Sequence, residues 1–94
     1  MPTPLPDAEI DSGLSRLPGW AREGDAIVRT YELESFPAVI ELVRQIADLA
    51  EAANHHPDLD IRYSKLRVAL SSHDAGGITQ RDLDLAAKID AIAP

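Results

Sequence analysis

The chain reads as an α+β domain: a four-stranded antiparallel sheet with three helices on one face, in the order α-β-β-α-β-β-α. Three observations predict it. Short segments of alternating character come in two neighbouring pairs, each joined by a tight turn, which is the mark of hairpins. Three other stretches carry apolar residues at helical spacing. Four strands joined mostly by hairpins imply an antiparallel sheet with helices on one face. The other face and the edges are then left for a second subunit to cover. The 94 residues suffice for one modest core, so residues 1–94 form a single domain.

Residues 1–6 hold three prolines and read as a loose arm. From about Asp7 to Leu17, Ile10, Leu14 and Leu17 fall on one helical face, with Gly13 a mild weakness. Pro18-Gly19 ends that helix. Trp20 opens a short extended segment through about Glu23, and Gly24-Asp25 reads as a turn. Ala26 to Leu33 is the best strand. Ile27, Tyr31 and Leu33 share one of its faces and Val28 and Thr30 the other, with Arg29 interrupting the apolar face.

Ser35 reads as an N-cap and Pro37 is tolerated in a first turn, so a long helix is expected to run to about Asn54. Phe36, Val39, Ile40, Val43, Ala47 and Ala50 form its stripe. Leu42, Ile46 and Leu49 widen the stripe to about half the circumference, beyond the roughly 100° minimum of a surface helix. So wide an arc suits a helix that lies on its own sheet and also meets a partner.

Pro57 starts a turn. Ile61 to Tyr63 reads as a short strand, Ser64-Lys65 as its hairpin loop and Leu66 to Ser71 as the return, with Leu66, Val68 and Leu70 alternating against Arg67 and Ala69. His73 to Gly77 reads as a flexible loop. The last helix has three start signals: Thr79 as N-cap, Asp82 three residues on in a capping box, and Ile78 against Leu83 as a staple. Leu85, Ile89 and Ile92 continue its apolar face.

Composition narrows the function. The formal charge is −7 and the pI about 4.7, and no basic patch appears, which argues against nucleic-acid binding. There is no cysteine, so disulfides, thiolate catalysis and cysteine zinc sites are out. No secretory signal is present and no apolar run is long enough to span a bilayer, so the expectation is a cytoplasmic protein without membrane attachment.

The chemistry gathers at Glu51 to Pro57, where two adjacent imidazoles, His55 and His56, sit at the end of the long helix. A third, His73, lies in a loop just before a helix start. Histidine takes and gives protons near neutral pH. A histidine pair at a helix end can also simply complement the dipole. Glu51, one helical turn before His55, is placed to orient or charge that ring. Asp82 can serve as a cap, as a carboxylate behind a catalytic imidazole, or as both. No phosphate-binding glycine motif, nucleophile elbow or His-Glu-x-x-His pattern occurs. The inventory suits general acid–base catalysis on a bound small molecule. It also permits a three-histidine zinc site, but adjacent side chains in extended backbone point opposite ways, so His55 and His56 would not readily share a metal.

The spaced set Glu51, His55-His56-Pro57, Tyr63, His73 and Asp82 resembles the pterin-4a-carbinolamine dehydratase family. Leu17-Pro18-Gly19-Trp20, Leu70-Ser71-Ser72-His73 and Gly77-Ile78-Thr79 before Asp82-Leu83 add to the likeness, which runs from about Leu5 to Ile92. Leu59 stands where some members carry an aromatic residue, and Ser72 where threonine is frequent. The resemblance implies dehydration of a 4a-hydroxytetrahydropterin to the quinonoid dihydropterin, which recycles the pterin used by an aromatic amino acid hydroxylase. It implies His55, His56 and His73 as the catalytic set. Asn54, Ser71, Ser72 and Asp74 then line the pterin site with those histidines, partly through backbone groups, and Glu51, Pro57 and Asp82 support it. The pterin is the substrate, and no metal or further cofactor is expected. Members form homodimers or homotetramers. Some act instead as interaction proteins that stabilise dimers of a transcription factor or modulate a partner enzyme, which is the competing expectation here.

Overall fold

The computed structural model describes residues 3–94. It contains α1 (Asp7–Leu14), β1 (Ala21–Glu23), β2 (Ala26–Glu32), α2 (Phe36–Ala53), β3 (Asp58–Arg62), β4 (Lys65–Leu70) and α3 (Gln80–Ile92). The sheet has the order β1-β2-β4-β3, and every neighbouring pair is antiparallel. Alternation decides which face is buried. Ile27, Tyr31, Leu66, Val68 and Leu70 point into one core, where they meet Ile10 of α1, Val39, Leu42 and Ile46 of α2, and Leu83, Leu85 and Ile89 of α3. All three helices therefore share one sheet face, as expected. Across the opposite face, Thr30 and Asp60 flank Arg67. No helix among the described residues is long and apolar enough to cross a membrane.

Arg29, which breaks the apolar alternation of β2, has a structural reason. Its guanidinium donates to Asp90 Oδ1 of α3 at 2.9 Å. The Trp20 indole donates to the same oxygen at 3.0 Å, and the Tyr31 hydroxyl donates to it as well. The guanidinium also lies 4.6 Å from the Tyr31 ring centroid, within cation–π range. Burial, then the bond to Asp90, pushes the Tyr31 phenol pKa far above its ordinary value. A side chain at residue 19 would meet the guanidinium, since a Cβ there would come within 2.5 Å of it. Pro18-Gly19-Trp20 does not end α1, which has already stopped at Leu14, but it lets the sheet clasp the far end of α3.

Several boundaries differ from the sequence reading. The first helix stops at Leu14, and Arg16 and Leu17 close onto Gly13 and Leu14 through three-residue turns, the tighter winding common at helix ends. Leu17 is nevertheless buried. Gly13 is a close-approach residue: a Cβ there would lie 2.5 Å from Leu83 Cδ1 of α3. Of the arm expected over residues 1–6, the first two lie outside the described residues, while Leu5 donates its N–H to the Ile78 carbonyl at 2.8 Å and packs against the core.

The third strand begins at Asp58, three residues before the expected start, and turns at Tyr63-Ser64. Asp58 and Asp60 disguise it, because acidic residues are poor strand formers. At a sheet edge, however, they can face water while Leu59 and Ile61 lie on the helix side, where Ile61, near the hairpin turn, stays 37% exposed. Leu59 accordingly packs against the core. Tyr63 adopts a left-handed φ of 59° and is 86% exposed.

On α2 the buried residues are Val39, Leu42, Ile46 and Ala50. The side of the arc led by Phe36 and Ile40 stays open, at 48% and 43% exposure.

Candidate active site

Helix α2 ends in a six-residue loop-back. His55 N–H donates to the Ala50 carbonyl at 3.1 Å and Asn54 N–H to that of Glu51 at 3.2 Å, the Schellman arrangement. It requires a left-handed residue, supplied by Asn54 at φ 49° and ψ 43°, a conformation asparagine tolerates better than most. The reversal turns His55 inward, to 8% exposure. His56, next in extended backbone, points out, with its side chain 58% exposed. Half-buried Pro57 then leads into β3.

The inward histidine meets Asp82, with Nε2 2.5 Å from Oδ1. Asp82 is fully buried at 0% exposure. Its second oxygen, Oδ2, accepts from the Thr79 N–H at 2.9 Å and from the Ser72 hydroxyl at 2.9 Å. The Thr79 contact completes the expected capping box. Asp82 is thus both helix cap and histidine partner. A charge buried this deeply is tolerated only when paired and hydrogen-bonded, and here both oxygens are occupied.

Glu51 does not reach His55 as the helical spacing suggested. It pairs with His56 instead. The four-residue spacing rule assumes that the helix persists through residue 55, and the left-handed turn at Asn54 ends it one residue earlier. The Glu51 side chain is 77% exposed.

His73 lies in the exposed turn between Ser72 and Gly77, which an isolated bridge closes; the loop read as flexible is hydrogen-bonded through Ala75 N–H to Ser72 O at 3.0 Å. The His73 ring has no hydrogen-bond partner among the described residues. Asp74 accepts from Arg81 at 2.7 Å, and that bond holds its carboxyl below the usual carboxylate range. Ser71 donates to the Asp25 carbonyl at 2.7 Å. Ser72 is 1% exposed, so its hydroxyl serves Asp82 rather than the surface.

Asp82 therefore ties together the end of α2, the 72–77 turn and the start of α3, the segments that carry His55, His56 and His73. The pairing of Asp58 with Ala69 sets the start of β3 beside the end of β4, at the same end of the sheet. Among the described residues no group of three or more His, Cys, Asp or Glu side chains is arranged to hold a metal ion. A separate cleft of about 480 Å³ between α1 and α3 includes Glu9, Arg16, Gln80 and Asp84 in its lining but none of the histidines.

A protein-family model described as Pterin 4 alpha carbinolamine dehydratase matches residues 3–92. The chain is 54% identical over 92 residues to a Roseiflexus (strain RS-1) protein provisionally named pterin-4-alpha-carbinolamine dehydratase, covering 98% of this chain and 99% of that one. It is 53% identical over 89 residues to a Nocardia farcinica protein with the same provisional name, covering 95% and 94%. A crystal structure of a transcriptional coactivator/pterin dehydratase from Brucella melitensis superposes with a TM-score of 0.93 at 31% identity, over 98% of this chain and 100% of that one. A pterin dehydratase-like protein described as a RuBisCO assembly factor in the alpha-carboxysome shares the fold, with a TM-score of 0.68 at 19% identity over 80% and 89% of the two chains.

Proposed function

The chain belongs to the pterin 4 alpha carbinolamine dehydratase family, and from that premise we propose that it removes water from a 4a-hydroxytetrahydropterin to leave the quinonoid dihydropterin. The observation that carries the reading is the buried His55–Asp82 pair at the junction of the segments bearing His56 and His73. In the reaction an acid protonates the C4a hydroxyl, the C4a–O bond breaks, and water leaves. A base takes the N5 proton, and the N5 electron pair forms the new bond to C4a. One proton is given and one is taken, so the site is restored by exchange with water. Imidazoles suit both tasks, and His55, His56 and His73 are the catalytic set of this proposal. Asn54, Ser71 and Asp74 line its rim, with Ser72 beneath it and Glu51, Pro57 and Asp82 in support. The pterin is the substrate, and no metal or other cofactor enters the scheme. A cytoplasmic role in recycling the pterin of an aromatic amino acid hydroxylase follows from the same reading.

The test is dehydration of 4a-hydroxytetrahydropterin by the purified chain. The expected result is acceleration over the spontaneous rate that a chelator leaves intact. His56→Ala and His73→Ala should each slow it by roughly 10²-fold or more, the scale of a positioned acid or base. A rate equal to the spontaneous one, or one abolished by chelator, overturns the reading.

A second role as an interaction protein is favoured by one observation. Phe36, Ile40, Ile61 and Tyr63 are the large hydrophobic residues left exposed among the described residues. The Leu33 N–H donates to the Ser64 carbonyl at 2.8 Å, which joins the hairpin tip to the segment leading into α2. The histidines come from the opposite end of α2 and of the sheet. The proposal includes a homodimer or homotetramer that uses this open side of α2. Light scattering at micromolar concentration should give more than one chain per particle; a monomer contradicts it.

A further inference from the structure

Ser72 has nothing left to offer a ligand. Its N–H donates to the Gly77 carbonyl at 2.9 Å, and its carbonyl accepts from Ala75 at 3.0 Å and Gly77 at 3.3 Å. Its hydroxyl lies 2.9 Å from Asp82 Oδ2 and 2.8 Å from the Thr79 hydroxyl. A hydroxyl has one hydrogen, and a carboxylate only accepts. Ser72 therefore gives its hydrogen to Asp82, and the Thr79 hydroxyl gives its own to Ser72. Thr79 Oγ1 in turn accepts the Arg81 N–H at 3.3 Å. The chain of bonds runs one way, from the first turn of α3 through Thr79 and Ser72 into Asp82, and bonds so aligned polarise one another.

The direction has a consequence for His55. With Asp82 acting only as an acceptor, the nitrogen facing it, Nε2, must carry the ring hydrogen. The neutral ring then presents a bare Nδ1. That atom has no protein partner, yet no buried side-chain nitrogen or oxygen among the described residues lacks one, so the small exposed part of this ring includes Nδ1.

We propose that Ser72 and Thr79 are positioning residues that act through Asp82 to hold His55 as the Nε2–H tautomer, leaving Nδ1 to accept a proton from the bound pterin. Only the identity of the ligand rests on the dehydratase reading. In that reaction the N5 proton goes to Nδ1 and later to water. The leaving hydroxyl takes its proton from another group, since a bare nitrogen has none to give.

The tautomer can be read without any substrate, by long-range ¹H–¹⁵N correlation spectra of the histidine-labelled protein at a pH where His55 is neutral. The wild type should show a protonated Nε2 and a bare Nδ1. In Asp82→Asn the amide oxygen can take the Ser72 and Thr79 donors, which aims the amide NH₂ at Nε2. The His55 hydrogen should then move to Nδ1. Ser72→Ala leaves Asp82 a carboxylate that still only accepts, so the Nε2–H tautomer should persist. With Asp82 less firmly aimed, kcat for dehydration should fall roughly 10-fold with KM little changed, the scale of one hydrogen bond to a charged group. Ser72→Thr, which keeps the hydroxyl, should restore the wild-type kcat.

A wild-type ring protonated at Nδ1 overturns the proposal, as does a wild-type signature that survives Asp82→Asn, or a Ser72→Ala variant with wild-type kcat. If Ser72→Ala does not fold, the wild-type and Asp82→Asn spectra decide. A wild type with the expected tautomer but no dehydration leaves the positioning intact and removes the dehydratase reading. The opposite pair of results does the reverse.

Discussion

Two histidine–carboxylate pairs stand side by side in this chain and differ in almost everything except their chemistry. His55 and Asp82 have side-chain exposures of 9% and 0%; His56 and Glu51 have 58% and 77%. The buried pair joins two helices 27 residues apart in sequence, and its carboxylate also receives Ser72 and the first turn of α3. The exposed pair is local, and water and salt compete for both members. Breaking a buried pair strands an uncompensated charge, whereas an exposed pair is screened and loses side-chain entropy on forming. The same two functional groups, an imidazole and a carboxylate, can therefore fix a site in one place and remain free to rearrange in the other. The proposed dehydration accepts one proton and gives one, a division of work that suits a fixed imidazole beside a free one.

The contrast can be broken most forcefully at Asp82. Asp82→Ala removes the carboxylate from three donors at once and should cost about 3–5 kcal/mol of stability, read from urea unfolding midpoints. Glu51→Ala is its counterpart and should leave the midpoint nearly unchanged. A comparable loss in both variants would abolish the distinction between the pairs.

The smallest effect sharpens the comparison from the surface side. The bond from Arg81 lowers the Asp74 pKa, so its stabilisation is fully present above the ordinary carboxylate pKa. It is lost as pH falls through the lowered folded value. Asp74→Asn should therefore melt slightly below wild type at neutral pH, with the gap closing in strong acid. A gap that widens on acidification contradicts this sign.

Much of this was legible in the sequence. Thr79, Asp82, Ile78 and Leu83 announced α3 because capping chemistry is local, and Leu66, Val68 and Leu70 announced β4 because one sheet face is buried. Residues whose partners are distant in sequence were less legible. Arg29 looked like an error in β2 because Asp90 lies 61 positions away. Glu51 was assigned to the wrong histidine because helical spacing cannot register that Asn54 ends the helix left-handed. Ser72 entered the ligand lining through the family resemblance alone, and its hydroxyl bond to Asp82, ten positions away, had no signal in the sequence. The edge strand from Asp58 was hidden because its solvent-facing positions are acidic.

The central claim is that the buried pair sets the geometry in which the reaction occurs, with the exposed pair secondary. It is tested most directly by measuring 4a-hydroxytetrahydropterin dehydration by Asp82→Asn and Glu51→Gln side by side, after circular dichroism has shown both to be folded. Each substitution removes one carboxylate charge and keeps the side-chain shape. Asp82→Asn alone also reverses the hydrogen bond to an imidazole of the proposed catalytic set, a change expected to cost roughly 10²-fold or more. The account predicts that Asp82→Asn is slower than Glu51→Gln by at least roughly tenfold; equal rates, or a slower Glu51→Gln, would contradict it.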